Sequence, residues 1–507
     1  MGEIITVIDI SSSAIKMCIA ELTGKNFKML ENLSYPIPLG KDTFRNGRLT
    51  RETINNCIEV LQDFLQVTQM FGAHKIHAYA TTAVREATNR DIFVDNIHSR
   101  TGIEVEVLSP AKTAFFLSER LKTKVRKNQI ASGFFLGAGR CEMLFFSKEG
   151  LLYNASLDIG FMKLNQAFRR GRYGEEFYPV FLETVIDNEL RPLVSEFDKY
   201  QVQTFFGTGL ELDEILNILN HRAIEKPKKG IKLKDLLNLY KETRNFSVEE
   251  IVHRLKVPYD KAEGLIAAML ISISLMRILK VSEIKPFWQP LEECILSDLI
   301  AKRDPQYYPG LVPTITSFVE NIGNALSFDA QHARVVSSLA LKIFDATLQI
   351  HLMGTKERNY LLAAAMLHNI GNVVASRARH KHSQYIVNAQ DFPYFNDEEK
   401  SIIANIVRYN RNSTPKKTHI EFMALPYRSR MTVIKLASLL RLADSLENNH
   451  TANSRQIGFE HGEGYLNMIV DYAEEPFSIL NAFNSRKDLF EDFFGIKLQL
   501  IIERTIK

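Results

Sequence analysis

The stretch EIITVIDISSSAIKMCIAELTGKNFKMLENLSYPI (residues 3–37) opens the chain and decides the fold class. Its aliphatic and β-branched residues fall into three short runs, which the turn-forming segments SSSA and TGKN separate. Apolar runs of this length, bounded by Ser, Gly and Asn, are typical of strands joined by tight turns. The stretch therefore predicts a three-stranded β-meander.

A second stretch, SGFFLGAGRCEMLFFSKEGLLYNASLDIG (residues 132–160), repeats this strand–turn–strand pattern. Aligned on the turns, residues 8–13 lie over residues 134–139, and Met17 lies over Met143. Two such units far apart in one chain favour a duplicated pair of α/β domains that face each other across a cleft. The alternative is that two small meanders resemble each other without common structure.

Length and composition bound the remaining possibilities. A chain of 507 residues exceeds the roughly 250–300 residues at which single cores stop growing, so three or four domains are expected. The net charge of +4 is too small for a duplex nucleic-acid partner but suits a local groove for a polyanion. The sequence shows neither a secretory signal nor an apolar run of transmembrane length, so we expect a cytoplasmic protein without a membrane partner. Four scattered cysteines without a CxxC pair predict reduced, buried thiols: Cys18, Cys57, Cys141 and Cys294.

Helical spacing dominates the rest of the chain. A Thr50 N-cap signal opens a helix that runs to Phe71, and residues 180–305 are mainly helical around the strand–turn VQTFFGTGLEL. From Pro309 to Glu447 the pattern is almost wholly helical, and short strands with one helix close the chain. We therefore predict domains at 1–125, 126–305, 306–448 and 449–507.

Three motifs then carry a resemblance: VIDISSSAIKMCIAEL, ATTAVREATN and GAGRCEM. In order and spacing they resemble the exopolyphosphatase/guanosine pentaphosphate phosphatase family. The helical segments LLAAAMLHNIG, VRYNR and LLRLADSLE resemble that family's C-terminal half. The resemblance implies two duplicated actin-like (ASKHA, ribonuclease-H-like) domains, a helical domain and a small α/β domain. It also implies a homodimer acting on polyphosphate or on guanosine penta- or tetraphosphate.

Hydrolysis of a terminal phosphoanhydride needs donors around the phosphates, a divalent cation, and a carboxylate that activates water. Small residues in turns after strands let backbone N–H groups approach phosphate closely, although each such turn can also be a plain hairpin. The candidates lie in three turns: Ser11, Ser12, Ser13; Gly137, Ala138, Gly139; and Gly207, Thr208, Gly209. The resemblance further places Arg85 at a phosphate-contacting arginine, the alternative being a surface arginine. It also implies catalytic and Mg²⁺-binding roles for Asp9 and Glu142.

The departures from the family pattern matter more. The family's water-activating glutamate lies in a Gly-Glu-Glu-Glu-Ala run, where this chain reads Ser109 to Ala114 without a carboxylate. The aspartate of the second phosphate turn is Phe135, and a later Arg-Glu-Gly reads Glu292-Glu293-Cys294. Loss of a general base costs about 10²–10⁴ in rate. Two hypotheses stay open: a weakened phosphoanhydride hydrolase, or an inactive polyanion- or nucleotide-binding regulatory protein.

The helical half also resembles the metal-dependent His-Asp phosphohydrolase superfamily. Five residues fall near its ligand positions: His332, His368, Asn369, His382 and Asp444. Because a neutral amide replaces the ligand aspartate, we expect these histidines to be structural and to bind no metal. The basic run at residues 226–234 either guides a polyphosphate chain or, as we expect, forms a solvated linker.

Overall fold

The structure is a computed structural model that describes residues 2–222, 229–287, 290–411, 413–447, 457–471 and 477–503. The chain divides into two compact units, Met1–Asp304 and Pro305–Lys507. Among the described residues, no helix has the length and apolar character needed to span a membrane. The finer division into four domains stays a prediction.

The first sheet contains the predicted meander. Its five strands are β1 (Glu3–Ile10), β2 (Ala14–Thr23), β3 (Asn26–Pro36), β4 (Lys75–Ala80) and β5 (Val105–Val107). They lie in the order β3-β2-β1-β4-β5. Strands β1, β2 and β3 are antiparallel neighbours, whereas β4 and β5 continue the sheet in parallel.

The second sheet repeats this order. Its strands are β6 (Ile130–Leu136), β7 (Cys141–Phe146), β8 (Leu151–Leu157), β9 (Val202–Thr208), β10 (Ile231–Lys232) and β11 (Glu283–Pro286). The order β8-β7-β6-β9-β11 matches the first sheet strand for strand, and β10 adds an antiparallel edge. The duplicated actin-like fold class is thereby confirmed, although the sequence pattern missed β10 and β11.

Register fixes which residues are equivalent in the two halves. In the first hairpin Asp9 pairs with Lys16, one position before the last pair of the ladder. In the second hairpin Phe135 pairs with Glu142 at the same position. The first hairpin therefore has Asp9 and Lys16 at the positions where the second hairpin has Phe135 and Glu142.

Thirteen helices surround these sheets among the described residues of the first unit. They are α1 (Leu39–Asn46), α2 (Arg51–Met70), α3 (Thr82–Glu86), α4 (Arg90–Thr101), α5 (Pro110–Leu121), α6 (Phe161–Gly171), α7 (Tyr178–Leu190), α8 (Val194–Phe197), α9 (Leu210–His221), α10 (Leu233–Thr243), α11 (Val248–Leu255), α12 (Tyr259–Ile278) and α13 (Leu291–Ala301). Helix α2 begins as predicted, because the Thr50 side chain accepts a hydrogen bond from the Thr53 N–H. We call residues 3–121 the first lobe and residues 130–301 the second lobe.

Two of these helices connect the lobes. Helix α5, the last of the first lobe, packs on β7 and β8 of the second lobe. Helix α13, the last of the second lobe, packs on β1, β2 and β3 of the first, and the two helices also pack on each other. Each of these helices therefore packs on the sheet of the opposite half.

The second unit is helical with a small sheet. Its helices are α14 (Tyr307–Gly310), α15 (Val312–Ala325), α16 (Ala330–Ala346), α17 (Leu348–His351), α18 (Thr355–Leu367), α19 (Arg379–Ala389), α20 (Asp397–Arg408), α21 (Ile420–Met423), α22 (Tyr427–Leu446), α23 (Phe477–Asn484) and α24 (Asp488–Phe494). Strands β12 (Ile457–Gly462), β13 (Tyr465–Asp471) and β14 (Lys497–Glu503) form the sheet. The closing stretch holds two described helices where the sequence predicted one.

Candidate functional site

The two predicted phosphate turns have the same backbone closure. The Ser11 N–H donates to the Ala14 carbonyl at 2.9 Å, and the Gly137 N–H donates to the Arg140 carbonyl at 2.9 Å. The turn amides that donate to no described residue are those of Ser12, Ser13, Ala138 and Gly139. These amides are the backbone donors that a phosphate oxygen could meet.

Helix α1 lies between the two turns. The Gly40 N–H donates to the Ser12 carbonyl at 2.8 Å. At the other turn, a Cβ added to Gly139 would lie 2.4 Å from Cζ of Phe44 and 2.9 Å from Cγ2 of Thr82. A side chain at position 139 would therefore require Phe44 or Thr82 to move.

The third predicted turn has a different role. Gly207 and Thr208 lie within β9, and Gly209 alone follows the strand. A Cβ on Gly207 would come within 2.8 Å of the side chains of Ile284 and Phe134. Gly207 thus lets side chains pack closely across the sheet, whereas Gly209 has a φ of +149° that favours glycine.

Arg85 joins the two lobes. Its guanidinium donates to the Leu108 carbonyl at 2.7 Å and to Oγ1 of Thr82 at 3.2 Å. It also lies 4.0 Å from Oε1 of Glu142, and both side chains are largely buried. The predicted phosphate-contacting arginine and the predicted metal-positioning glutamate therefore meet in the structure.

Ser156, on β8, fixes the orientation of Glu142. Its hydroxyl donates to Oε1 of Glu142 at 2.8 Å and accepts from Nε of Arg140 at 2.7 Å. Ser156 is not predicted from the sequence, because nothing in its local pattern distinguishes it from other strand serines.

A cluster of ion pairs spans the lobes beside Arg85. Glu86, on α3 of the first lobe, accepts from Arg140 at 2.8 Å and lies 2.6 Å from Nζ of Lys163. Asp158 contacts the same two cations at 3.0 and 2.5 Å. We call these four side chains the cross-lobe ion cluster. Glu86 follows Arg85 directly in ATTAVREATN, and Arg140 lies within GAGRCEM. These two motifs are the sequence features from which Glu86 and Arg140 could have been predicted as site residues.

Asp9 faces the N-terminus of α13. It is 4% exposed, and its Oδ1 accepts no hydrogen bond from any described residue. Burial and the nearby Glu292 carboxyl raise the pKa of Asp9 from 3.8 to about 7, against the charge of Lys16. Glu292 is 1% exposed, and its Oε2 likewise has no described hydrogen-bond partner. In the sequence, Glu292 stands out only as a departure from the family pattern.

The N-terminus of α5 presents no acid. Ser109 caps the helix by accepting from the Lys112 N–H at 3.1 Å. The Lys112 ammonium lies 5.2 and 5.3 Å from the ring centroids of Phe115 and Phe116. The segment that should supply a water-activating carboxylate therefore supplies a cation held over aromatic rings.

Comparison with known proteins gives this architecture a family. A model described as "Ppx/GppA phosphatase family" matches residues 18–302, and one described as "Ppx/GppA phosphatase, domain III" matches residues 316–470. The chain belongs to the Ppx/GppA phosphatase family. This membership confirms the resemblance drawn from the three motifs.

Individual relatives are distant. A guanosine-5'-triphosphate,3'-diphosphate pyrophosphatase of Photobacterium profundum is 20% identical over 440 residues, covering 86% of this chain and 84% of the relative. The Ppx/GppA family member of Aquifex aeolicus has a TM-score of 0.51 at 20% identity, covering 60% of this chain and 99% of its own. An exopolyphosphatase of Cytophaga hutchinsonii has a TM-score of 0.52 at 20% identity, covering 59% and 98%. These two structures show the fold.

Residues 316–470, which match domain III, contain the five residues that the sequence places near metal-ligand positions. The side chains of three of them, His332, His368 and Asp444, lie close together. Nε2 of His332 lies 3.3 Å from Nε2 of His368, and Oδ1 of Asp444 lies 3.6 and 3.1 Å from these two atoms. The three side chains are buried, on α16, after α18 and on α22. His382, on α19, is not part of this group.

Further side chains surround this group, among them Arg411, whose Nε lies 4.0 Å from Oδ2 of Asp444. Nδ2 of Asn369 lies 3.2 Å from Nε2 of His332, and Arg486 donates to Oδ2 of Asp444 at 2.7 Å. Burial raises the pKa of Asp444, but contacts with both imidazoles and the charge of Arg486 outweigh it and hold the pKa well below its usual range. Asp444 is therefore ionised.

Proposed function

We propose that this Ppx/GppA-family chain binds inorganic polyphosphate or guanosine penta- or tetraphosphate between its lobes and hydrolyses terminal phosphoanhydride bonds slowly. The observation that carries the proposal is the start of α5, where Lys112 lies in the segment that aligns with the family's water-activating glutamate. The name of the Photobacterium relative supports a guanosine phosphate as one substrate.

Ground-state binding would use groups that this chain retains. The amides of the two phosphate turns and the Arg85 guanidinium are donors suited to phosphate oxygens. Arg85 presently faces Glu142 at 4.0 Å, so a phosphate would compete with a carboxylate for it.

A Mg²⁺ ion would be held chiefly by Asp9. Its buried Oδ1 has no hydrogen-bond partner among the described residues, which is the state expected of an oxygen reserved for a cation. Glu142 fits this role less well, because Ser156 and Arg85 already engage its Oε1. When bound, Mg²⁺ would spread the negative charge that develops on the transferred phosphate.

The remaining carboxylate with access to Asp9 is Glu292. Glu292 is 1% exposed and its Oε2 has no hydrogen-bond partner among the described residues, so this oxygen can accept a hydrogen bond from a water molecule. We propose that Glu292 orients the attacking water in place of the absent glutamate. Its position on α13 differs from that of the family base, so we expect slow turnover.

The alternative is a polyanion-binding regulatory protein without turnover. The cross-lobe ion cluster favours this alternative, because Glu86 and Asp158 already neutralise Arg140 and Lys163. In this alternative, the bound anion would act as a signal and would not be hydrolysed.

An assay of phosphate release from polyphosphate and from pppGpp, in the presence of Mg²⁺, distinguishes the slow hydrolase from the regulatory protein. We expect slow release in the wild type that rises when residues 111–113 are all changed to Glu and Phe135 to Asp. A filter-binding assay of each substrate on the same variants controls for affinity. Fast wild-type release that disappears on Glu142→Ala, but survives Glu292→Gln, would show that our assignment of the base is wrong. No release from any variant, with binding retained, would favour the regulatory protein.

A further inference from the structure

Most cations in one stretch of the second unit have no acidic partner. Residues 377–430 contain ten Lys and Arg residues but only five Asp and Glu residues. Within the described part of this stretch, Lys400 pairs with Asp397 and Arg411 lies 4.0 Å from Asp444. The other eight cationic side chains form no ion pair with a described residue. Such an excess, in a chain whose net charge is only +4, indicates a local surface for an anion.

Five basic side chains of this stretch lie together where the start of α19, the end of α20 and the segment before α21 meet. We call this surface the basic face, and its members are His380, Lys381, Arg408, Lys416 and His419. Burial lowers the pKa of His380, and the charges of Arg408 and Lys381 lower it further. Burial also lowers the pKa of His419, where Arg408, Lys416 and Lys381 act in the same direction against Glu421. Arg408 and Lys381 therefore act on both imidazoles.

Arg408 is held in place while one of its donors stays unused. Its Nη1 donates to Oε1 of Gln384 at 2.9 Å, and Nε2 of Gln384 donates to Oδ1 of Asn405 at 3.3 Å. Nε of Arg408 is buried and donates to no described residue. Arg379, at the start of α19, likewise has two buried guanidinium nitrogens without a described acceptor. Because a buried donor without an acceptor costs stability, these nitrogens favour an anionic ligand such as a phosphate.

Aromatic rings accompany these cations. The Tyr409 hydroxyl lies 2.7 Å from Nδ1 of His419, and the two rings stack with their centroids 5.6 Å apart, which orients the imidazole. Tyr385 follows Lys381 by one turn of α19 and is 75% exposed. Residues four apart lie on the same face of a helix, about 6 Å apart along its axis. Lys381 and Tyr385 therefore present a cation and an exposed ring side by side.

We infer that the basic face binds single-stranded nucleic acid, with phosphates on Lys381, Arg408 and Lys416 and one base stacked on Tyr385. Aromatic rings beside a cationic track are the means by which proteins bind single strands without reading their sequence. A duplex keeps its bases inside the stack and would leave Tyr385 unused. Polyphosphate and anionic lipid headgroups supply phosphates but no base. The inference does not rest on the proposed function, whose residues all lie in the first unit.

Fluorescence anisotropy of the full-length chain, with labelled oligouridylate and oligodeoxythymidylate of about 12 nucleotides, tests the inference. The logarithm of the affinity should fall with the logarithm of the salt concentration with a slope of about −2, as three phosphate contacts require. Lys381→Gln should weaken binding and make the slope less steep by about 0.7. Tyr385→Ala should weaken binding about 5- to 150-fold and leave the slope unchanged. The matched control Tyr35→Ala, an exposed tyrosine of the first unit, should bind as the wild type does.

Lys381 and Tyr385 are both exposed, so these variants should fold, which circular dichroism checks. The inference is overturned if the wild type binds neither oligomer at low salt. It is equally overturned if folded Lys381→Gln and Tyr385→Ala bind both oligomers as tightly as the wild type, because the strand would then lie elsewhere. Polyphosphate and vesicles of phosphatidylserine and phosphatidylcholine are the probes without bases, and Tyr385→Ala should not change their binding. Tighter binding of either probe than of the oligomers, lost in Lys381→Gln, would assign the basic face to that probe and overturn the inference.

Discussion

Changing Asp9 to Asn should stabilise the first unit, and by an amount that depends on pH. The carboxyl is buried, and its pKa in the folded chain rises from 3.8 to about 7. Between these values the folded chain keeps a proton that the unfolded chain has lost, so the free energy of unfolding falls as pH rises. At 1.36 kcal/mol per pKa unit the loss approaches about 4 kcal/mol by pH 8, taken as an upper limit. Asparagine cannot ionise and avoids this loss.

The four buried cysteines make the measurement specific for this unit. Cys18, Cys57, Cys141 and Cys294 all lie within Met1–Asp304. Their labelling in a short thiol pulse at fixed pH, after equilibration in urea, therefore reports the unfolding of this unit alone. Asp9→Asn should match the wild type at pH 4 and exceed it by several kcal/mol at pH 8. The exposed Asp63→Asn controls for loss of one charge. A difference between Asp9→Asn and the wild type that is equal at both pH values would refute the reasoning.

Two further substitutions test the cleft. Glu86→Gln removes the first-lobe carboxylate that neutralises Arg140 and Lys163. Polyphosphate should then bind more tightly, and its affinity should depend more steeply on salt concentration in a fluorescence titration. Unchanged affinity would mean that the pairing is only structural. Glu292→Gln should reduce phosphate release by about 10²-fold or more with polyphosphate affinity kept, and a proportional loss of affinity would instead assign Glu292 to binding.

The sequence predicted those features that local pattern determines. The meander and its repeat were placed in the correct register because side chains alternate along a strand and each turn fixes the pairing that follows it. Strands β10 and β11 were missed because two and four residues are too few to show alternation, and because they pair with distant segments, β11 with β9 and β10 with β11. Gly207 was interpreted as part of a turn, since a glycine that permits close packing across a sheet looks the same in sequence as one that closes a turn.

The histidine group could be found in sequence but not evaluated there. Five candidate residues were spread between positions 332 and 444, and only the packing of α16, α18 and α22 selects three of them. The replacement of an aspartate by Asn369 argued against a metal on charge alone. The structure adds what charge cannot give, namely which nitrogen of His368 is already committed to a carbonyl.

Glu292 shows how the duplication changes the meaning of a lost residue. Compared position by position with the family, the chain lacks acids at the start of α5, a helix that packs on the second-lobe sheet, and at Phe135, which lies within that sheet. Helix α13 packs on the first-lobe sheet as helix α5 packs on the second-lobe sheet. There Glu292 stands beside Asp9, the register equivalent of Phe135. An acid pair that is absent from one half is therefore present in the other. Two buried carboxyl groups, each with an oxygen that has no hydrogen-bond partner among the described residues, are costly to retain without a ligand. That cost is the physical reason to look for the chemistry of this cleft at Asp9 and Glu292 rather than at Lys112.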